Sequence, residues 1–293
     1  MQKIVPHLWF DKDASKAAEL FTSLFDNSKI NSVKVLSGTP SGDVELVSFN
    51  LGGLEVAGIG AGPDFKLNPS ASFFCVFEDE NKLIDAWKRL IDGGKELMPL
   101  QEYPWAKKYG WLQDKFGVSW QLSLNQKPEL DQKISPFLMF VGENAGKAKE
   151  AIAFYTKIFK NSSVEMEVPY EKGDGDVEGY LKHARFALDG LGMMAIDSSA
   201  DHKFQFNEAF SLIVNCESQE EIDYLWEKLS AVPASEQCGW LKDKYGLSWQ
   251  IVPTVLEKLM GSGTSEQTKR VTEAFLAMKK FDIEKLQAAF DGE

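Results

Sequence analysis

The sequence predicts an α+β fold made of one domain present twice, and three observations predict it. GWLQDKFGVSWQL at Gly110–Leu122 returns as GWLKDKYGLSWQI at Gly239–Ile251, with nine of thirteen positions identical. Other segments match in the same order: IVPHLWF with ISPFLMF, AAELFTSLF with AIAFYTKIF, FNLGGL with FALDGL, and WKRL with WEKL. Matches kept in order along a chain are the signature of a duplicated unit. Within each copy, a strand, a helix and three strands are read twice, so strands dominate and helices are segregated from them. The expected domains are residues 1–126 and 134–253, each two βαβββ units forming a curved mixed sheet, with a helical extension at 254–293. The divider, NQKPELDQK at Asn125–Lys133, is polar, contains Pro128 and reads as a linker.

Each element follows from local pattern. Ile4–Phe10 is a short apolar run followed by DKDAS, which suits a strand and then a helix cap at Asp13 or Ser15. Ala17, Leu20, Phe21, Leu24 and Phe25 recur at helical spacing and predict a helix ending near Phe25. SVKVL alternates like a strand, and ELVSFNLGGLEVAGI reads as two strands around a Gly52–Gly53 hairpin turn. The unit then restarts. SFFCVF is a strand, and Asn81–Ile91 is a helix with Leu83, Ala86, Trp87 and Leu90 on one face. KELMPL follows as a strand, then KYGWLQD, a turn at Lys115–Gly117, and VSWQLSL.

In that last strand, alternation puts Ser119 and Gln121 on one face and Val118, Trp120 and Leu122 on the other. Ser248 and Gln250 likewise oppose Leu247, Trp249 and Ile251. The bulky face is expected under the helices and the polar face on the concave side of the sheet. The second copy has a longer lead-in to its first helix, FVGENAGKAKEA. It is shorter before its signature, where AVPASEQC predicts a short sixth strand. In the extension, GSGTS at Gly261–Ser265 predicts a flexible break. Val271, Ala274, Phe275 and Met278, then Ile283, Leu286 and Phe290, form apolar stripes that pack on a sheet or a partner chain.

The composition, 44% apolar and 26% charged over 293 residues, is that of a soluble globular protein. No apolar run has the length of a membrane span, and MQKIVPHLWFDKD lacks the apolar core of a secretory signal. A cytoplasmic protein is expected. The net charge of −12 and the lack of a basic stripe disfavour nucleic acid and anionic membranes, leaving small-molecule or protein partners. Cys75, Cys216 and Cys238 are odd in number and without CxxC spacing, which argues for buried thiols over a disulfide framework or zinc cluster.

The paired βαβββ units, the AxxFYxxxF-like first helix and the twice-given GWLxDKxGxSWQ close resemble the PhnB-like, 3-demethylubiquinone methyltransferase-type branch of the vicinal oxygen chelate superfamily. That superfamily includes glyoxalase I, bleomycin resistance proteins and extradiol dioxygenases. The tail VTEAFLAMKKFDIEKLQAAF resembles an extension common in the branch. The resemblance implies tandem glyoxalase-like domains with a ligand site on the concave sheet; it does not fix an activity, because one fold hosts many chemistries.

Metal-dependent members draw His and Glu ligands from the first, fourth, fifth and last strands, a set suited to divalent cations. Here the first strands offer His7 and Phe137, and the fourth strands offer Glu55 and then Met193, Met194 and Asp197. The fifth strands contain neither His nor Glu, and the last-strand position is Gln121 or Gln250, a neutral amide that binds such metals poorly. VAGIGAGPD at Val56–Asp64 contains GxGxG, but DFKLNPS follows it where a nucleotide or S-adenosylmethionine loop would open a helix. No metal and no cofactor are expected.

What remains is a small organic ligand held without a metal on aromatic and amide side chains. The candidates are His7, Trp9, Trp105, Trp111 and Gln121 in copy one, and Tyr180, Trp240 and Gln250, beside Phe140, in copy two. His183 and His202 are expected near strand ends or loops at the surface. Two alternatives stay open: a divalent-metal-dependent lyase or dioxygenase using His7, Glu55 and Gln121, and a structural or regulatory role. The duplication predicts a monomer with an internal pseudo-dimer, the tail offering a route to a homodimer.

Overall fold

The computed structural model describes residues 2–39, 41–125 and 132–293. Most of the expected linker, with Pro128, lies outside the described residues. Copy one comprises β1 (Ile4–Phe10), α1 (Ala14–Thr22), β2 (Lys29–Thr39), β3 (Gly42–Leu51), β4 (Leu54–Gly60), β5 (Ala71–Phe77), α2 (Glu80–Ile91), β6 (Lys95–Tyr103), β7 (Ala106–Gln113) and β8 (Ser119–Leu124). Copy two comprises β9 (Ile134–Phe140), α3 (Ala148–Ile158), β10 (Ser163–Pro169), β11 (Leu181–Leu188), β12 (Leu191–Asp197), β13 (Phe210–Cys216), α4 (Gln219–Leu229), β14 (Trp240–Lys242) and β15 (Ser248–Pro253). The tail adds α5 (Thr254–Ser262), α6 (Ser265–Leu276) and α7 (Ile283–Asp291). Copy two has a 3₁₀ turn at Pro233–Ser235 where copy one has β6, so its expected sixth strand is replaced.

The sheets do not follow the copies. A seven-stranded terminal sheet runs β14-β15-β13-β1-β4-β3-β2, and an eight-stranded central sheet runs β10-β11-β12-β9-β5-β8-β7-β6. Each sheet therefore joins two units, but one comes from each copy. The joints are antiparallel, β1 on β13 and β5 on β9. The expectation that each copy curls into its own sheet is corrected here. The physical reason lies in the connections, residues 61–70 and 198–209, which carry the chain from one sheet to the other. They bind each other reciprocally: Asn68 Nδ2 donates to the Gln205 carbonyl (3.0 Å) and Asn207 Nδ2 to the Lys66 carbonyl (2.9 Å).

The duplicated segment ties the two sheets together. Trp120 on β8 is fully buried and meets Phe21 (4.8 Å between centroids) and Phe25 (5.9 Å). Phe21 belongs to α1, which lies on β3 of the other sheet. Trp249 on β15 meets Tyr155 and Phe159, both at 5.4 Å, beneath α3. The bulky face of the last strand thus lies under the helices.

The turn before it is organised by a buried carboxylate that the sequence reading left out. Asp114 accepts from the N–H groups of Phe116 (2.8 Å) and Val118 (3.0 Å) and from Trp120 Nε1 (2.8 Å). Asp243 accepts from Tyr245 N (2.8 Å), Leu247 N (3.1 Å), Trp249 Nε1 (2.9 Å) and the Tyr155 hydroxyl (2.7 Å). Burial pushes the Asp114 carboxyl up to about 7 against the pull of these donors, and it raises Asp243 in the same sense. Gly117 and Gly246 sit at φ +90° and +82°, which a side chain would strain.

Two local expectations change. Helix α1 ends at Thr22, and Asp13 does not cap it; Asp13 pairs with Lys16 (2.7 Å), while Glu45 of β3 takes the Ser15 N–H (2.7 Å). The segment Gly261–Ser265 is a tight corner, because Thr264 and Gln267 form a capping box at the start of α6. Beyond α6, the N–H groups of Cys238 and Gly239 donate to the carbonyls of Met278 (2.8 Å) and Lys279 (2.7 Å). In copy one the matching position, Tyr109, pairs with Gln101 of β6. The tail therefore covers the edge left by the missing strand; Val271 and Leu286 of its apolar stripes are buried, as is Phe281 between them, which the stripes did not include.

Candidate functional site

The concave face of the central sheet holds a cavity of about 720 Å³. Its residues follow strand register. One row crosses Phe74, Gln121, Trp111 and Met98 on β5, β8, β7 and β6. A second crosses Phe137, Met194, Arg185 and Met166 on β9, β12, β11 and β10. One wall is thus aromatic and amide, and the other carries His183 and Arg185 between methionines. The Tyr103–Trp105 hairpin stands at the mouth; the two rings stack at 4.9 Å and Trp105 is 64% exposed.

The floor is fixed by a chain of hydrogen bonds. The Tyr109 hydroxyl donates to Gln121 Oε1 (2.8 Å), and Gln121 Nε2 donates to Ser72 Oγ (2.9 Å). The Gln121 amide is therefore pinned at both ends, and burial pushes the Tyr109 phenol up. Trp111 Nε1 donates to Ser119 Oγ (2.7 Å).

The same positions of the terminal sheet are packed differently. His7 replaces Phe137; its Nδ1 lies 3.3 Å from Ser211 Oγ, which also accepts from Gln250 Nε2 (3.0 Å). Trp240 stands edge-on to His7 (5.5 Å) and Trp9 (6.3 Å), and Trp9 donates to the Gly62 carbonyl (2.8 Å). Ser248 Oγ, the counterpart of Ser119, is buried without a hydrogen-bond partner. His7, Ser211, Ser248 and Gln250 are all buried here.

The sequence candidates therefore divide by sheet. Trp105, Trp111 and Gln121 line the central cavity. His7 and Trp9 leave copy one's group to join Trp240 and Gln250 of copy two. Tyr180 lies outside the cavity lining and packs against Gly146, where an added Cβ would fall 2.3 Å from its ring. Phe140 is core, against Phe206 (5.1 Å). His183 lies near the start of β11, as expected, but it lines the cavity, as does Arg185, which the sequence reading did not single out. His202 bonds Ser198 (2.9 Å) beyond β12.

The trio His7, Glu55 and Gln121 is not assembled, since His7 and Glu55 lie in the terminal sheet and Gln121 in the central one. Among the described residues, no three His, Cys, Asp or Glu side chains gather as a metal-holding group. The GxGxG run does not fit a methyl-donor nucleotide either. Gly58 and Gly60 lie in β4, and coil, not a helix, follows. A Cβ on Gly58 would fall 3.1 Å from both Phe10 and Val47, so that glycine serves packing.

His7 supplies a pH test. Burial lowers its pKa to about 3, so the folded protein holds it neutral while the unfolded chain protonates it near 6.5. Its contribution to stability is complete above about pH 6.5 and is lost as pH falls toward 3. Between pH 6.5 and 4, the wild type should lose about 3 kcal/mol more stability than His7→Phe, measured by urea unfolding. Parallel pH profiles would refute it.

A family model described as 3-demethylubiquinone-9 3-methyltransferase matches the chain twice, over residues 2–123 and 132–252. No curated protein matches it. Among solved structures, the PhnB protein from Bacillus cereus is 36% identical, covering 42% of this chain and 100% of its own, with a TM-score of 0.40. Glyoxalase I from Zea mays is 12% identical, covering 84% of this chain and 92% of its own at a TM-score of 0.52, a likeness of fold alone.

Proposed function

The chain belongs, in two copies, to the family described as 3-demethylubiquinone-9 3-methyltransferase, and we propose that it binds a small organic ligand in the cup of the central sheet without a metal ion. One observation carries this reading. The four strand positions from which metal-dependent members of the superfamily draw ligands are, in this cup, Phe137, Met194, Ser72 and Gln121. None is a strong ligand for a divalent cation, and Gln121 is already spent on Ser72 and Tyr109. Phe137, Met194 and Gln121 instead line a cavity of about 720 Å³, a size that suits a small molecule. Met98, Met139, Met166 and Met194 give it an adaptable apolar lining.

The test uses N-phenyl-1-naphthylamine, a neutral apolar probe. It should bind one-to-one and quench tryptophan emission, with Trp105 and Trp111 nearest. Binding should be unchanged by EDTA or added zinc, and Met194→Trp, which fills the cup, should abolish it. Binding that requires a divalent cation, or that survives Met194→Trp, would overturn the reading.

A further inference from the structure

We propose that Trp240 is a gate over a second ligand site, on the concave face of the terminal sheet, and that this site takes a small neutral heteroaromatic molecule with a ring N–H. The site is separate from the central cup and stands whether or not that cup binds the naphthylamine. The duplication reveals it, because the same register positions can be compared in both sheets.

The two signature tryptophans have matching neighbours and use them differently. Trp111 pairs with Gln121 and lies diagonally from Ser119, which pairs with Gln113; Trp240 pairs with Gln250 and lies diagonally from Ser248, which pairs with Lys242. Trp111 Nε1 donates to Ser119 Oγ (2.7 Å). Trp240 is half-buried, and its indole N–H makes no hydrogen bond among the described residues. Its ring is turned to His7 and Trp9 instead, and Ser248 Oγ, the matching acceptor, stays buried and unpaired. A buried hydroxyl without a partner is costly. Rotation of Trp240 onto Ser248 removes that cost and offsets the ring contacts given up.

Such a rotation uncovers the floor. Where the central row carries Phe137, Met194, Arg185 and Met166, the terminal row carries His7, Ala57, Ser48 and Ser32, each a smaller side chain. Gln250 Oε1 also lacks the bond of its counterpart. Tyr109 caps Gln121, but Cys238 holds the matching position in copy two and directs its thiol to the Leu276 carbonyl (3.7 Å). An amide oxygen without a donor can accept a ligand N–H. Lys242, the cation of that row, is paired with Glu208 (2.7 Å), so nothing there selects for charge. The place now holds an indole, edge-on to His7 at 5.5 Å, and a flat ring system of that size fits once Trp240 leaves.

The experiment titrates benzimidazole, in mildly alkaline buffer that keeps it neutral, into the Met194→Trp protein, whose central cup is filled. Calorimetry reads affinity, and nuclear magnetic resonance follows the indole N–H signals, that of Trp240 being identified by its loss in Trp240→Phe. Benzimidazole should bind one-to-one and shift the Trp240 signal, as it should in the unmodified protein. 1-Methylbenzimidazole, which lacks the N–H, should bind about tenfold more weakly. Adding Trp240→Ala should tighten benzimidazole binding about tenfold, because the open state no longer has to be populated first. Ser248→Ala should weaken binding about fivefold with Trp240 in place and not at all in Trp240→Ala, since the hydroxyl acts only through the indole. Near-ultraviolet circular dichroism checks that each variant is folded; if Trp240→Ala is not, Trp240→Leu takes its place. No binding while Trp240 is present, equal affinities for the two benzimidazoles, no tightening in Trp240→Ala, or a Ser248→Ala effect that persists without Trp240 would each overturn the inference.

Discussion

Cut between its two copies, the chain should not yield two folded monomers. The fragment ending at Asn125 retains both units of copy one, but these belong to different sheets. It loses β13 from the edge of β1 and β9 from the edge of β5, where Ile4 pairs with Val214 and Cys75 with Ile134. Two sheet edges would be left unpaired, and an unpaired edge is a template for another chain. A domain's net stability is only about 5–15 kcal/mol, so losing both joints removes the folded monomer. A second copy of the fragment can supply what is missing, its β5–β8 against the first one's β1–β4. The expected product is a dimer or an unfolded chain, and mixing both fragments should restore the native circular dichroism. Light scattering settles it: a folded monomer from either fragment would contradict the exchange of units between sheets.

Loss of the carboxylate in the second signature should be among the costliest single changes. Asp243→Ala leaves four buried donors without an acceptor: two backbone N–H groups, the Trp249 indole and the Tyr155 hydroxyl. At about 1–3 kcal/mol for each buried group left unpaired, less what relaxation and water recover, the expected loss is roughly 4–5 kcal/mol. Asp114→Ala lacks the tyrosine donor and should cost about 1 kcal/mol less. Asp243→Asn is a sharper probe. Its amide oxygen can still serve the turn, and the Tyr155 hydroxyl can rotate to accept from the new amide, but the Trp249 indole can only donate. A loss of about 2 kcal/mol is expected, with one orphaned donor in place of four. Urea unfolding measures all three, and losses below about 1 kcal/mol for both alanine variants would show that the carboxylate does not hold the turn.

What could be read beforehand divides along physical lines. The face each residue takes was legible, because strand period records sides: Ser119 and Gln121 separate from Trp120 and Leu122 as alternation requires. Which unit each strand joins was not, because Ile4–Phe10 alternates in the same way whether it pairs within its copy or across it. The expected grouping of Trp9 with Gln121 failed for that reason. Asp114 hid inside a turn already explained by its glycine. Arg185 and His183 had a signal: alternation carried back from Leu188, with the match of FALDGL to FNLGGL, puts both on one face. Tyr180 belongs to a loop, and no period governs where its ring falls.

The crossing of units between sheets also sets an order on synthesis. The central sheet is built from one continuous stretch, β5 through β12, which ends at Asp197. The terminal sheet needs Ile4 to meet Val214, across most of the chain. Contacts distant in sequence form late, because the intervening chain must first be ordered. As the chain leaves the ribosome, β1–β4 emerge before β13, the strand that β1 joins, exists, while the central cup, β5–β12, can close before β13 is made. The terminal sheet, which waits for β13–β15, is thus expected to fold last, onto a neighbour already in place.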